Sequence, residues 1–294
     1  MSGPPASAQP IAYAGEPGAF AEDAVVAAFG EAARRRSVPG FRDVFEAVAS
    51  GEAEAGVVPI ENLVNGTVRE TYDLLLEFDH EITGEVVVPV DLCLAALPGR
   101  SIDGVGRIYS HIQALGQAEG YLRTRPWSLL TTYNTAGAGK LVAESREDGA
   151  AAVLSRRAAE RYGLEVLAAS IQDVPDNRTR FVAVRRRPDA PLATGPDTSP
   201  AAGPTPGVRY RTTVAFGVRN APGTLLAALQ VFAARGINLS KLESRPSRTA
   251  AWEYVFWTDL DAHAEETACQ TALTELRAVA ALVRTFGSYP RVAD

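Results

Sequence analysis

The chain is poor in the residues on which several kinds of chemistry depend. It has only two cysteines, Cys93 and Cys269, far apart and without a histidine close by in sequence, so neither a disulfide nor a cysteine nucleophile is expected and both thiols are read as core residues. The three histidines, His80, His111 and His263, lack metal-ligand spacing; no metal site is expected, and each is read as a surface or capping residue. Lys140 and Lys241 are the only lysines, which leaves few candidates for a Schiff base, and Lys140 is read as a solvated side chain on a second helical turn. No uninterrupted apolar run approaches the roughly 18 residues of a membrane span. The segment Met1 to Gln9 has neither the charge nor the apolar stretch of a targeting signal, so the expected location is the cytoplasm, with no membrane partner. Positive charge is in deficit: the net charge of -6 argues against a nucleic-acid partner, and Arg34-Arg35-Arg36 is read as a solvated helix end.

What is present is ordinary for a globular protein, 46% hydrophobic and 22% charged, and 294 residues suggest two or three compact units. The clearest boundary is Arg185 to Val208, where six prolines accompany Ala, Gly, Ser and Thr in a segment expected to behave as a tether. The expected organisation is therefore a first domain over 9–184, a linker over 185–208 and a second domain over 209–292. In the first, strand-like runs alternate with helical patterns, which predicts a largely parallel α/β sheet. Pro10 to Tyr13 enters Gly15-Glu16-Pro17-Gly18, Gly56 to Ile60 enters Glu61-Asn62, and Val105 to Tyr109 enters Ser110-His111. Leu129 to Tyr133 enters Asn134-Thr135, and Ala151 to Leu154 enters Ser155. Such junctions gather helix N-termini beyond the strand carboxyl ends, in a cleft suited to carboxylates.

The run Asp173-Val174-Pro175-Asp176-Asn177-Arg178-Thr179-Arg180-Phe181 concentrates hydroxyl, amide and guanidinium groups at one loop, the chemistry of an anion site with a proton donor. If Ser110 caps the following helix, Gln117 lies seven residues on, close to two turns, and falls near the same face. Ile112, Leu115 and Leu122 would then point toward a core. The alternative is that Ser110 only caps a helix and Gln117 is only a surface amide.

Taken in order, Gly15 to Glu22, Val58-Pro59-Ile60-Glu61-Asn62 with Gly66, Ser110 to Gln117, Asn134-Thr135-Ala136 and Asn177 to Phe181 resemble the motifs of the prephenate dehydratase family over Ile11 to Val184. The resemblance implies two α/β lobes with substrate between them, similar to a periplasmic binding protein, the chain crossing near Val86 to Asp91. It also implies a carbon–oxygen lyase that removes water and carbon dioxide from prephenate to leave phenylpyruvate, needing neither a metal nor an organic cofactor. On the same footing Thr179 is the donor to the departing hydroxyl, Asn62, Ser110 and Gln117 complete the catalytic pocket, and Asn134, Thr135 and Arg180 bind substrate. Departures from the usual pattern at Ala21, Leu63, Ile112 and Asn134 bear on substrate choice. The early position of the first motif implies a form without a fused chorismate mutase.

Beyond Val208 the pattern reads βαββαβ: strands over Tyr210–Val218, Asn238–Arg245, Ala251–Asp259 and Leu282–Tyr289, helices over Thr224–Arg235 and Ala264–Val279. This ferredoxin-like order resembles the ACT regulatory domain. The motifs that carry the resemblance are Asn220-Ala221-Pro222-Gly223-Thr224-Leu225 and Glu243-Ser244-Arg245-Pro246. They imply an allosteric site for L-phenylalanine and a homodimer or homotetramer. Two other function classes stay open on the same fold. One is an arogenate dehydratase or a prephenate decarboxylase that leaves the ring non-aromatic; the other is a non-catalytic amino-acid-binding regulator.

Overall fold

The computed structural model describes residues 9–187, 203–246 and 254–292. Two units are distinguished among them, one formed by 9–78 and 86–183, the other by 79–85 with the described residues beyond 183.

The first unit has two lobes, each built on its own sheet. The chain runs β1 (Ile11–Ala14), α1 (Phe20–Phe29), β2 (Arg35–Val38), α2 (Phe41–Ala49), β3 (Ala55–Asn62), β4 (Gly66–Thr67), α3 (Arg69–Glu77) and β5 (His80–Pro89). It then crosses to the second lobe through β6 (Cys93–Ala96), β7 (Arg107–Ser110), α4 (Ile112–Gln117), α5 (Glu119–Leu122), β8 (Ser128–Thr131), α6 (Thr135–Ser145), β9 (Ala150–Leu154), α7 (Arg156–Arg161) and β10 (Glu165–Ala168). It returns as β11 (Arg178–Arg186); the part of β5 before Val86 and the part of β11 after Ala183 are grouped with the other unit. The sheets have the orders β2-β1-β3-β11-β5, with β4 paired to β3, and β10-β6-β9-β7-β8. The crossing thus falls between Pro89 and Cys93, overlapping the expected Val86 to Asp91. The architecture is α/β as anticipated, but the second sheet is mixed where a largely parallel one is expected, β6 pairing antiparallel with both β9 and β10.

Burial explains the central strands. Every residue of β9, Ala-Ala-Ala-Val-Leu, is buried, as a strand covered on both faces requires. Helix α6 comes close enough that a Cβ on Gly139 would sit 2.6 Å from a methyl of Leu154. Loop Gly15–Ala19 ties the lobes together: Ser155 donates to the Gly18 carbonyl (2.8 Å), Tyr162 to that of Pro17 (2.9 Å) and Tyr133 to the Glu16 carboxylate (2.9 Å). Lys140, expected to be solvated, is ion-paired with Glu16 at 3.3 Å.

Arg34-Arg35-Arg36 does not end a helix. Gly30, at φ 84°, terminates α1, and Arg35 and Arg36 open β2, whose parallel pairing with β1 prevails over the local charge. As an edge strand β2 carries these charges in ion pairs, Arg35 with Glu22 and Glu31, Arg36 with Glu52.

The second unit contains β12 (Tyr210–Gly217), α8 (Thr224–Ala233), β13 (Leu239–Pro246), β14 (Tyr254–Leu260), α9 (Thr267–Val279) and β15 (Leu282–Pro290). This is the βαββαβ order, with an antiparallel sheet β13-β14-β12-β15. Trp257 and Phe286 stack at 4.6 Å in its interior. Residues 188–202 of the expected linker lie outside the described residues, as do 1–8 of the N-terminal segment and 251–253 of the third expected strand; Arg185 and Arg186 belong to β11. Among the described residues no helix is long and apolar enough to cross a membrane.

Candidate functional site

A cavity of about 570 Å³ in the first unit is lined from both lobes. Five helices begin there: Phe20 and Ala21 of α1, Phe41 of α2, Arg69 and Glu70 of α3, Gln113 and Gln117 of α4, and Thr135 and Ala136 of α6 all contribute. Their positive dipole ends make the space hospitable to anions. Phe20 and Phe181 supply apolar wall.

The strongest side-chain constellation joins β3 to β11. Nδ2 of Asn62 donates to Thr179 Oγ1 at 2.9 Å, to Asn177 Oδ1 at 3.0 Å and to the Arg178 carbonyl at 3.1 Å. Oδ1 of Asn62 accepts from the backbone of Val64 (3.1 Å) and Asn65 (2.8 Å), so the amide cannot rotate without breaking bonds at both ends. Asn62 and Thr179 are 8% and 9% exposed. A threonine hydroxyl that accepts from an amide N–H keeps its own proton to donate.

Of the residues singled out from sequence, Asn62, Gln117, Asn134, Thr135 and Thr179 line this cavity. Asn134 caps α6, its side-chain oxygen accepting from Gly137 N. Ser110 does not line it. It is fully buried as the last residue of β7 and donates to the Val153 carbonyl at 2.6 Å; the cap of α4 is His111, whose Nδ1 accepts from Gln113 N at 3.3 Å. The pairing of β7 with β9 claims the Ser110 hydroxyl before the helix starts. Arg180 is also turned away. Successive strand residues face opposite sides, so Thr179 and Phe181 meet the cavity while Arg180 pairs with Glu61 at 3.0 Å. Ile112, expected in the core, is 61% exposed, whereas Leu115 and Leu122 are buried as anticipated.

Several lining residues, among them Arg69, Glu70, His111 and Gln113, are not assigned to the site by the sequence reading. Arg69 lines the cavity where Arg180 does not, because the β3–β4 hairpin brings the start of α3 there. His111 and Gln113 follow from the cap lying one residue later than expected. Burial lowers the pKa of His111 and favours its neutral form.

In the second unit, Asn220, Ala221 and Pro222 form an exposed turn, and Gly223 caps α8 at φ 84°. The Thr224 hydroxyl closes the turn on the carbonyls of Arg219 (2.6 Å) and Ala221 (2.8 Å), with Leu225 following in the first turn of the helix. Glu243, Ser244, Arg245 and Pro246 lie on the edge strand β13, where Glu243 pairs with Lys241 at 3.5 Å.

Two family models match the chain: prephenate dehydratase over residues 11–189 and the ACT domain over 212–277. A bifunctional chorismate mutase/prephenate dehydratase from Aquifex aeolicus is 39% identical over 283 residues, 96% of this chain and 73% of that protein. Arogenate dehydratase 5 from Arabidopsis thaliana, a chloroplastic protein, is 36% identical over 300 residues, 95% of this chain and 67% of its own. Among solved structures, prephenate dehydratase from Arthrobacter aurescens in complex with L-Phe aligns with TM-score 0.81 and 31% identity, covering 96% of this chain and 90% of its own. GqqA, described as a novel type of quorum quenching acylase, aligns with TM-score 0.84 and 31% identity over 97% of this chain and 98% of its own.

Proposed function

The chain belongs to the prephenate dehydratase family, and on that premise we propose that it converts prephenate to phenylpyruvate in L-phenylalanine biosynthesis, under control of L-phenylalanine. The observation that carries the reading is the Asn62–Thr179 hydrogen bond at the wall of a cavity where helix N-termini gather. Prephenate is a dianion with a ring hydroxyl on a cyclohexadiene. As the bond from ring carbon to hydroxyl oxygen breaks, Thr179 donates a proton and water leaves; the bond to the ring carboxylate breaks, its electrons enter the ring, and carbon dioxide departs. Aromatisation supplies the driving force, so the protein's task is orientation, donation to the departing oxygen and exclusion of water. Gln117, Asn134 and Thr135 bind substrate oxygens, the Arg69 guanidinium offsets part of the dianion's charge, and the rings of Phe20 and Phe181 flank the diene.

A second substrate is favoured by one feature. Glu70 lines the cavity beside Arg69, and its carboxylate suits the ammonium group that arogenate carries where prephenate has a keto group. Amide hydrolysis is not favoured, since the His111 nitrogen facing α4 is committed to a helix cap rather than to activating a hydroxyl.

The ACT unit binds L-phenylalanine through the Asn220–Leu225 turn and the Glu243–Pro246 strand. By favouring a less active arrangement of the protein, the amino acid lowers turnover. Pairing of ACT units makes the protein a homodimer or homotetramer.

The test is to incubate the purified chain with prephenate and, separately, with arogenate, following phenylpyruvate absorbance and phenylalanine formation. Aromatic product with prephenate is expected, and millimolar L-phenylalanine should slow its appearance. Carbon dioxide without an aromatic product would replace the reading by a decarboxylase, and no turnover of either compound would leave an amino-acid sensor. Unchanged kinetics and no heat of binding with phenylalanine would remove the effector assignment. Light scattering of the intact chain checks the assembly.

A further inference from the structure

Behind Asn62 sits a residue that the reading above leaves without a task. Asn177 is 1% exposed and closes the turn before β11, with its backbone N–H donating to Val174 O (3.2 Å) and its carbonyl accepting from Val90 N (2.8 Å). Its Oδ1 accepts from Asn62 Nδ2 at 3.0 Å. Its own Nδ2 is buried and makes no hydrogen bond to another described residue. An orphaned buried donor is costly, and evolution has a simple remedy of the same shape. An aspartate would offer Asn62 the same acceptor and carry no donor to strand.

What aspartate would add is a negative charge one side chain behind Thr179, in a site destined for a dianion. We propose that Asn177 is a positioning residue: its carboxamide oxygen holds one N–H of Asn62 so that the other is directed to Thr179 Oγ1, and its neutrality is kept at the expense of an unpaired donor. The Asn62 amide is thereby clamped between the backbone of Val64 and Asn65 on one side and Asn177, Thr179 and the Arg178 carbonyl on the other. With its lone pair engaged, the Thr179 hydroxyl proton is left for the cavity. The consequence for turnover rests on the dehydratase reading; the hydrogen-bond geometry does not.

The intact chain and two variants, Asn177→Ala and Asn177→Asp, decide the matter. Hydrogen exchange of the Asn62 side-chain amide, followed by NMR, is expected to quicken about tenfold or more in Asn177→Ala and to stay at the parent rate in Asn177→Asp. On prephenate, Asn177→Ala should lose about 100-fold in kcat with KM within about threefold of the parent. Asn177→Asp, isosteric but burying a carboxylate and so melting below the parent temperature, should raise KM about tenfold through repulsion of the dianion at a pH where that carboxylate is ionised. Unchanged Asn62 exchange in Asn177→Ala overturns the positioning role, and a parental KM in Asn177→Asp overturns the argument from neutrality. Should the parent itself fail to act on prephenate, the dehydratase reading falls, and the exchange measurement alone judges Asn177.

Discussion

The side-chain nitrogen of Asn62 donates to the hydroxyl of Thr179 across 117 positions of sequence, at 2.9 Å. β3 and β11 are neighbours in one sheet, so the contact is a property of strand order rather than of a flexible loop. A hydroxyl held as acceptor by an amide is oriented as a donor toward whatever fills the cavity. Thr179→Val keeps the branched shape and removes the hydroxyl, which is both that donor and one of the three acceptors of Asn62 Nδ2. We expect kcat on prephenate to fall about 10²–10⁴-fold, while Asn62 retains two other acceptors and stability changes by under about 1 kcal/mol. Thr179→Ser should restore much of the rate. Steady-state kinetics with both variants, set beside their thermal melts, checks this; a valine variant turning over near the parental rate would refute the donor role.

The junctions that build the cavity were legible because each strand ends in small or polar residues that start a helix, a local signal independent of tertiary context. Ser110 and Arg180 show where that signal stops. Ser110 is polar at a strand end, but whether a hydroxyl turns to the cleft or to a neighbouring strand depends on β9 lying beside β7, and its bond to Val153 is 43 residues distant in sequence. Arg180 was misread although alternation along β11 contained the answer: with Thr179 facing one side, its successor faces the other. Arg69 was hidden by the hairpin of β3 and β4, which folds the start of α3 back to the cavity where a direct strand-to-helix step had been expected.

Arg180, paired with Glu61 and outside the cavity lining, is therefore expected to act on stability rather than affinity. Its side chain is 12% exposed against 39% for Glu61, so removing the guanidinium leaves a carboxylate that water still reaches. The loss in Arg180→Ala should be about 1–2 kcal/mol, short of the roughly 3–5 kcal/mol of a fully buried pair. KM for prephenate should move by less than about twofold. Urea unfolding and substrate titration separate the two effects. A KM raised tenfold in a variant of parental stability would return Arg180 to the substrate.

Two glycines with similar backbone angles should respond differently to the same change. Gly18 has φ 93° and a Cβ built on it would stand 2.7 Å from the Ala158 Cα in the other lobe, whereas Gly66 has φ 74° with nothing within 4 Å. Gly66→Ala carries only the left-handed backbone penalty of about 1–2 kcal/mol. Gly18→Ala adds a backbone collision, for a total of about 2–5 kcal/mol, and it pushes apart the loop and the helix that Ser155 links to the Gly18 carbonyl. Thermal melts of both variants compare them directly; equal losses would show that the lobes yield freely at this contact.

His111 couples the site to pH. Burial holds its imidazole below the ordinary value of 6.5, so in the window below that value the unfolded chain binds more protons at this position than the native protein. Stability from this residue is consequently present above the unfolded pKa and lost as pH falls through the lower native one. Protonation also removes the lone pair with which Nδ1 accepts from Gln113 N, so the cap of α4 weakens over the same range. His111→Asn retains an oxygen that can cap the helix but does not titrate. Urea unfolding at about pH 7.5 and about pH 5.5 should show the parent losing more stability on acidification than the variant, all other titrating groups being common to both. Parallel losses would mean that His111 is solvated enough to take up its proton in the native state, and that its lone pair is not what holds the start of α4.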